Sequence, residues 1–240
     1  MQVACVLITS NKFTAGDCEG ALTILDKSIE YKNIIMRHDT NQYIKYVEPN
    51  LPENYSWRLF APSDVEHWGR IETSVLEFDS QNRAINYFEK TFMPHVDELQ
   101  KRCLFALNPD GLPIATANAW FTENESGRQA LMHWVAVCPE YQGRRLGRFV
   151  AVKALELFQS LEPNLPVWLH TQTWSHVAIR LYHSLGFKMV RNDREASLTH
   201  INEYSEMHKN DYHEALHVLK TILGDEYVDE LAKTSVAYRV

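Results

Sequence analysis

The chain has 240 residues, 45% of them hydrophobic, and a formal net charge of −7. That length and apolar content are enough for a sizeable buried core, and nine Gly and nine Pro are too few for a collagen-like or low-complexity chain. The acidic balance argues against non-specific nucleic-acid binding, which depends on clustered basic side chains.

In chain order, residues 1–8 form a short apolar run without a basic leader, far below the ~20 apolar residues that span a bilayer. No membrane partner is expected, and the expected location is cytoplasmic. Cys5, Cys18, Cys103 and Cys138 make no CxxC pair and read as reduced packing residues. A helix-like stretch is expected around 21–29 and a strand at 34–36. The Pro- and Asn-rich segment 49–54 marks a boundary. It divides the chain into an N-terminal extension of unknown role (1–55), a main core domain (56–195), and a C-terminal helix and strand (196–240) that complete or extend the core.

Residues 57–60 suit a strand, and Ser63 or Asp64 can cap a helix running towards residue 73. Ser80 can cap a second helix, in which Ala84, Ile85, Phe88 and Phe92 recur at three- and four-residue steps up to Pro94. Three strands, at 103–107, 114–121 and 130–137, are joined by turn-like 108–111 and 123–128 and predict an antiparallel meander. A helix over 146–161, a strand at 167–171 and a helix opened by Ser175 and stopped at Gly186 follow. A meander that gives way to alternating helices and strands predicts an α/β fold: a mixed sheet covered by helices on both faces.

The densest chemistry lies between residues 133 and 148. The apolar strand His133-Trp134-Val135-Ala136-Val137 is ended by Pro139, and the loop Gln142-Gly143-Arg144-Arg145-Leu146-Gly147-Arg148 leads into the next helix. Backbone N–H groups at the positive end of a helix dipole, joined by three arginines, make a phosphate or pyrophosphate site. The bland alternative is a strand-to-helix turn with solvated arginines. The loop is neither a P-loop nor a GxGxxG fingerprint.

This loop resembles the acyl-CoA motif Gln/Arg-x-x-Gly-x-Gly/Ala of the GNAT (GCN5-related N-acetyltransferase) superfamily, matching at Gln142, Gly143 aside, and at Gly147, with Arg145 in place of the middle glycine. Downstream, Ser175, Ala178, Leu181, Tyr182, Gly186 and Phe187 fall in a pattern similar to the family's Asn/Ser-x-x-Ala-x-x-Leu-Tyr-x-x-x-Gly-Phe. The order of elements follows the family from about residue 57 to 190. The resemblance implies a partly splayed sheet with acetyl-CoA as acyl donor and no metal. The pantetheine amides would pair with Val135, Ala136 and Val137, the pyrophosphate would sit on Gly143, Arg144, Arg145, Leu146, Gly147 and Arg148, and Ser175 would lie beside the pantetheine arm. It also implies direct attack of an amine on the thioester, with Tyr182 as general acid.

For the base, His133 is one candidate, because strand alternation puts it on the face of Val135. Glu72 and Glu77 are the others. The acceptor expected is a small-molecule or peptide amine, and Glu72, Glu77 and Asp79 suit a cationic one. Residues 235–240 read as a strand that completes the sheet or a homodimer. Two further readings stay open. Arg145 fits an acyl-CoA-binding module without turnover, and His213-Glu214-Ala215-Leu216-His217 spells the HExxH of zinc peptidases. Against the latter stands the apolar stripe Tyr212, Leu216, Leu219 and Leu223, which explains the same helix by packing.

Overall fold

The computed structural model describes residues 25–39, 50–124, 127–191 and 210–237. The expected strand at 34–36 is β1 (Asn33–His38). The expected meander is β2 (Ser56–Leu59), β3 (Cys103–Leu107), β4 (Pro113–Asn124) and β5 (Gly127–Val137), paired antiparallel in succession. Adding β6 (Val167–Gln172) and β7 (Lys188–Met189) gives one seven-stranded mixed sheet in the order β2-β3-β4-β5-β6-β1-β7. β1 runs antiparallel to both β6 and β7, so a segment from the first 55 residues lies inside the sheet.

Helices cover both faces, as expected of a mixed sheet whose strands alternate between two buried sides. On one face α1 (Val65–Ser74), α2 (Gln81–Thr91) and α3 (Val96–Arg102) bury an aromatic cluster that includes Trp68, Phe88, Phe92 and Phe105. On the other face α4 (Leu146–Leu161), α5 (His176–Ser184), α6 (Tyr212–Leu223) and α7 (Asp225–Thr234) pack over the larger cluster. Burying one Leu- or Phe-sized side chain stabilises by about 1.5–3 kcal/mol, so these two clusters dominate the fold.

Some local expectations are corrected. Residues 25–29, the described part of the helix-like stretch, form a turn, because the Asp26 carboxylate accepts the Ser28 N–H at 3.1 Å and its hydroxyl at 2.5 Å. Asp64 does not cap α1; its carboxylate accepts the Ala61 N–H at 2.7 Å and two bonds from Arg58 at 2.5 and 2.7 Å. Ser80 and Ser175 precede their helices without side-chain capping bonds. The described part of the C-terminal strand completes the sheet edge: Val236 bridges Val190 in parallel, and its N–H donates to the Met189 carbonyl at 2.9 Å. Cys103 and Cys138 are buried and free, while residues 1–24, with Cys5 and Cys18, lie outside the described residues. No described helix is long and apolar enough to cross a membrane.

Candidate functional site

β5 and β6 are parallel neighbours at only two positions, Ala130 with Val167 and Leu131 with Trp168. Beyond them β6 follows β1 as far as Gln172 while β5 diverges, so the strands open into a V. From Met132 onward the β6-facing edge of β5 has no strand partner. A bulge turns β5 at this point. Asn118 pairs with His133 and Thr116 with Ala136, leaving Ala117 opposite both Trp134 and Val135. Trp134 takes up the extra residue in the left-handed region, at φ +53, a costly conformation for a bulky side chain.

The bulge breaks strand alternation. His133 shares a rank with Asn118 and Cys103 on the α1–α2 face, whereas Val135 packs with the α4 cluster. The expectation that His133 and Val135 share a face is therefore corrected.

A cavity of about 750 Å³ fills the V. Glu72, Glu77, Phe78 and Tyr87 reach it from the α1–α2 side, and Ser175, Ala178 and Tyr182 from the opposite face. The end of α1 explains why two carboxylates arrive together. Leu76 adopts φ +68, its N–H donates to the Thr73 carbonyl at 3.1 Å, and the Glu77 N–H donates to the Glu72 carbonyl at 3.2 Å. This is a Schellman closure in which Leu76 holds the position glycine usually fills, and the flanking contact pair is Glu72 and Glu77 rather than two apolar residues.

Glu72 is 1% exposed, and its Oε1 has no hydrogen-bond partner. Burial, then repulsion from Glu77, pushes its carboxyl well above the usual range. Glu77 is exposed at the cavity; its carboxyl is also raised, by desolvation there, but Lys27 and a hydrogen bond from Gln172 oppose the shift. Burial raises the Tyr182 phenol, helped by Glu77 and Glu72, so Tyr182 keeps its proton. Burial lowers His133 to about 4, so its imidazole is neutral at physiological pH and a weak base.

The arginine loop lies beyond the cavity lining, at the end of β5. The Gln142 amide donates to the Val137 carbonyl at 3.0 Å and ties the loop to the strand. Gly143 (φ +74) and Arg145 (φ +62, ψ +10) both take left-handed backbone. The first intrahelical bond of α4 runs from the Phe149 N–H to the Arg145 carbonyl at 3.0 Å, so the N–H groups of Leu146, Gly147 and Arg148 have no acceptor within the helix. Gly143, Arg144 and Arg145 are exposed. Arg144 donates to the Tyr55 hydroxyl at 2.6 Å, and Arg148 to the Ser184 hydroxyl at 2.9 Å.

The site thus gathers His133, Val135, Ala136, Val137, Ser175 and Tyr182 around one cavity, with Gln142 to Arg148 at the adjoining helix terminus. The unpaired edge of β5 can pair with an amide-bearing chain, and the α4 terminus can take a diphosphate, so the residues present fit an acyl-CoA. Sequence reasoning missed Lys27, Tyr31 and Asn33, which reach the cavity from a segment distant in sequence, and the aromatic residues Phe78 and Tyr87. No local pattern marks the first three. In the HExxH segment, His213, Glu214 and His217 lie on the exposed side of α6, while Tyr212 and Leu219 are buried. Among the described residues no group of three or more His, Cys, Asp or Glu is placed to hold a metal ion.

The sequence model of the Acetyltransferase (GNAT) family matches residues 68–187. A GCN5-related N-acetyltransferase from Sphaerobacter thermophilus shares the fold, with a TM-score of 0.51 and 17% identity over 67% of this chain and 49% of its own. A GNAT-family acetyltransferase from Colwellia psychrerythraea does likewise, with a TM-score of 0.51 and 10% identity over 67% and 54%. The chain therefore spans about half the length of these structures. No curated protein matches it in sequence. With the family model covering half the chain, and the splayed sheet and helix-terminus loop in place, the chain belongs to the GNAT acetyltransferase family.

Proposed function

We propose that the protein is an acetyl-CoA-dependent N-acetyltransferase acting on a cationic primary amine. The observation that carries this reading is the meeting, in one cavity, of a buried carboxylate with an unpartnered oxygen from one face of the sheet and a buried phenol from the other, across the gap between β5 and β6. When bound, acetyl-CoA supplies an activated acetyl thioester. The N–H groups of Leu146, Gly147 and Arg148 would hold its diphosphate, and the edge of β5 from Val135 to Val137 its amides.

An alkylammonium has a pKa near ~10 and is not a nucleophile until it loses a proton. Glu72 would accept that proton, because burial and Glu77 leave its carboxylate far more basic than an exposed one, whereas burial makes His133 a poor base. Glu77, closer to Lys27 and Gln172, would remain the anion that holds the ammonium in place. Tyr182 would protonate the departing sulfur. The nitrogen sheds two protons in all, the thiolate gains one, and one is released to solvent.

The test is titration calorimetry with acetyl-CoA, followed by CoA release with a panel of primary amines. Binding together with amine-dependent release is the expected result. Binding without release for any amine would support the non-catalytic module instead, and no binding at millimolar acetyl-CoA would refute both.

A further inference from the structure

The cavity has two aromatic walls. On the β5 side, Phe78, Tyr87 and Trp134 contact one another, with ring centroids 5.4 Å apart for Phe78 and Trp134, 5.2 Å for Tyr87 and Trp134, and 5.5 Å for Phe78 and Tyr87. On the β6–β1 side, Tyr31 meets Trp174 edge to face at 5.0 Å. All five residues line the cavity.

Tyr31 of the second wall comes from a segment that precedes the family-matched span, and that segment is firmly fixed to the residues around Trp174. Trp174 Nε1 donates to the Ile29 carbonyl at 2.7 Å, Thr173 Oγ1 donates to the Glu30 carbonyl at 2.5 Å, and the Lys32 N–H donates back to Thr173 Oγ1 at 2.9 Å. At its other end the segment crosses to the close of α1, where Lys27 Nζ donates to the Leu76 carbonyl at 2.9 Å.

The cavity lining carries side chains of both signs. Glu72 supplies a buried carboxylate and Glu77 an exposed one, and both act on the Tyr182 phenol. Lys27, Arg83 and Lys90 line the same cavity, with Lys27 beside Glu77 and Arg83 ion-paired with Asp79. One cation is accommodated next to the glutamates, and a second would meet the basic residues. Repulsion of this kind discriminates against a partner as effectively as a new contact favours one.

We infer that the acceptor is a primary monoamine carried on an aromatic or similarly flat apolar body, and that residues 25–35 form one wall of its site. This deepens the transferase reading and rests on it for the position of the reacting nitrogen. The aromatic walls would enclose the body, the glutamates would take the ammonium, and the basic residues would exclude diamines and polyamines.

Binding of phenethylamine and of 1,4-diaminobutane to the full chain, measured by titration calorimetry with and without CoA, tests the inference directly. Phenethylamine should bind at least ~10-fold more tightly, and Tyr31→Ala and Phe78→Ala should each weaken it by ~10-fold while leaving acetyl-CoA affinity unchanged. Lys90 is exposed, so Lys90→Glu should fold normally and raise 1,4-diaminobutane affinity several-fold. Equal or tighter binding of 1,4-diaminobutane to the wild type, or a Lys90→Glu variant with unaltered preference, would overturn the inference. Loss of acetyl-CoA binding alongside intact amine discrimination would instead defeat the transferase reading and leave the amine site standing.

Discussion

Replacing Arg145 by glycine and by alanine separates backbone strain from charge at the entry to α4. Arg145 sits at φ +62, ψ +10, which costs a residue with a Cβ about 1–2 kcal/mol. Glycine relieves that strain but adds about 0.5–1 kcal/mol of chain freedom to the unfolded state. The difference favours glycine over alanine by ~0.5–1 kcal/mol, or ~1–4 °C in Tm for a chain of this size. The Arg145 side chain is exposed, and its surface interactions, worth at most ~1 kcal/mol, are lost equally in both variants and cancel in the comparison. Thermal melts followed by circular dichroism, without and with acetyl-CoA, measure the effect. Acetyl-CoA affinity in Arg145→Gly should stay within ~3-fold of wild type, because a single exposed charge is largely screened by salt. An alanine variant that melts at or above the glycine variant would refute the strain argument.

Tyr182→Phe keeps the ring that packs on Phe187 and should lower kcat by ~10- to 1,000-fold with little change in acetyl-CoA affinity. Unchanged single-turnover rates would make Tyr182 a packing residue. Glu72→Gln should lower kcat by ~100-fold or more and remove the limb on which wild-type kcat/KM rises with pH. Because folding raises the Glu72 pKa, the folded state loses stability as pH rises through the folded value, so Glu72→Gln should melt higher than wild type at pH 8 and similarly at pH 4. Gly147→Glu places a carboxylate in the first turn of α4 and should weaken acetyl-CoA binding by ~100-fold in calorimetry; full affinity in the folded variant would put the diphosphate elsewhere.

The regular elements were legible because their signals are local. The meander strands carry β-rich runs between turn residues, and α4 begins at Leu146 and ends at Leu161, where the apolar period predicts. What could not be read depends on partners distant in sequence. The apolar letters of β1 mark a strand, but nothing in them says that it lies between β6 and β7. Ser63 or Asp64 was a reasonable capping signal, yet Arg58 and the Ala61 N–H claim the Asp64 carboxylate first. Alternation placed His133 with Val135 because a bulge at a non-glycine residue leaves no mark in the sequence, and Trp134 has none of the usual turn chemistry.

The positions that break local rules are clustered. Among the described residues, three of the four non-glycine residues with positive φ, Leu76, Trp134 and Arg145, stand at the close of α1, at the bulge of β5 and at the entry to α4, which are the three places where the chain turns around the cavity and its adjoining loop. Glu72, a buried carboxylate with an unpartnered oxygen, is the fourth departure and lies in the same region. Each of these is unfavourable on its own: left-handed backbone costs about 1–3 kcal/mol per residue, and an unsatisfied buried polar group costs a similar amount. The scattered substitutions that would relieve them, glycine at the turns and glutamine at Glu72, are chemically simple, so packing alone does not explain why all four coincide here. Under the proposed transferase reading, a cavity that presents two carboxylates, an unpaired strand edge and a helix terminus to the same ligands explains it, because each departure aims one of those groups.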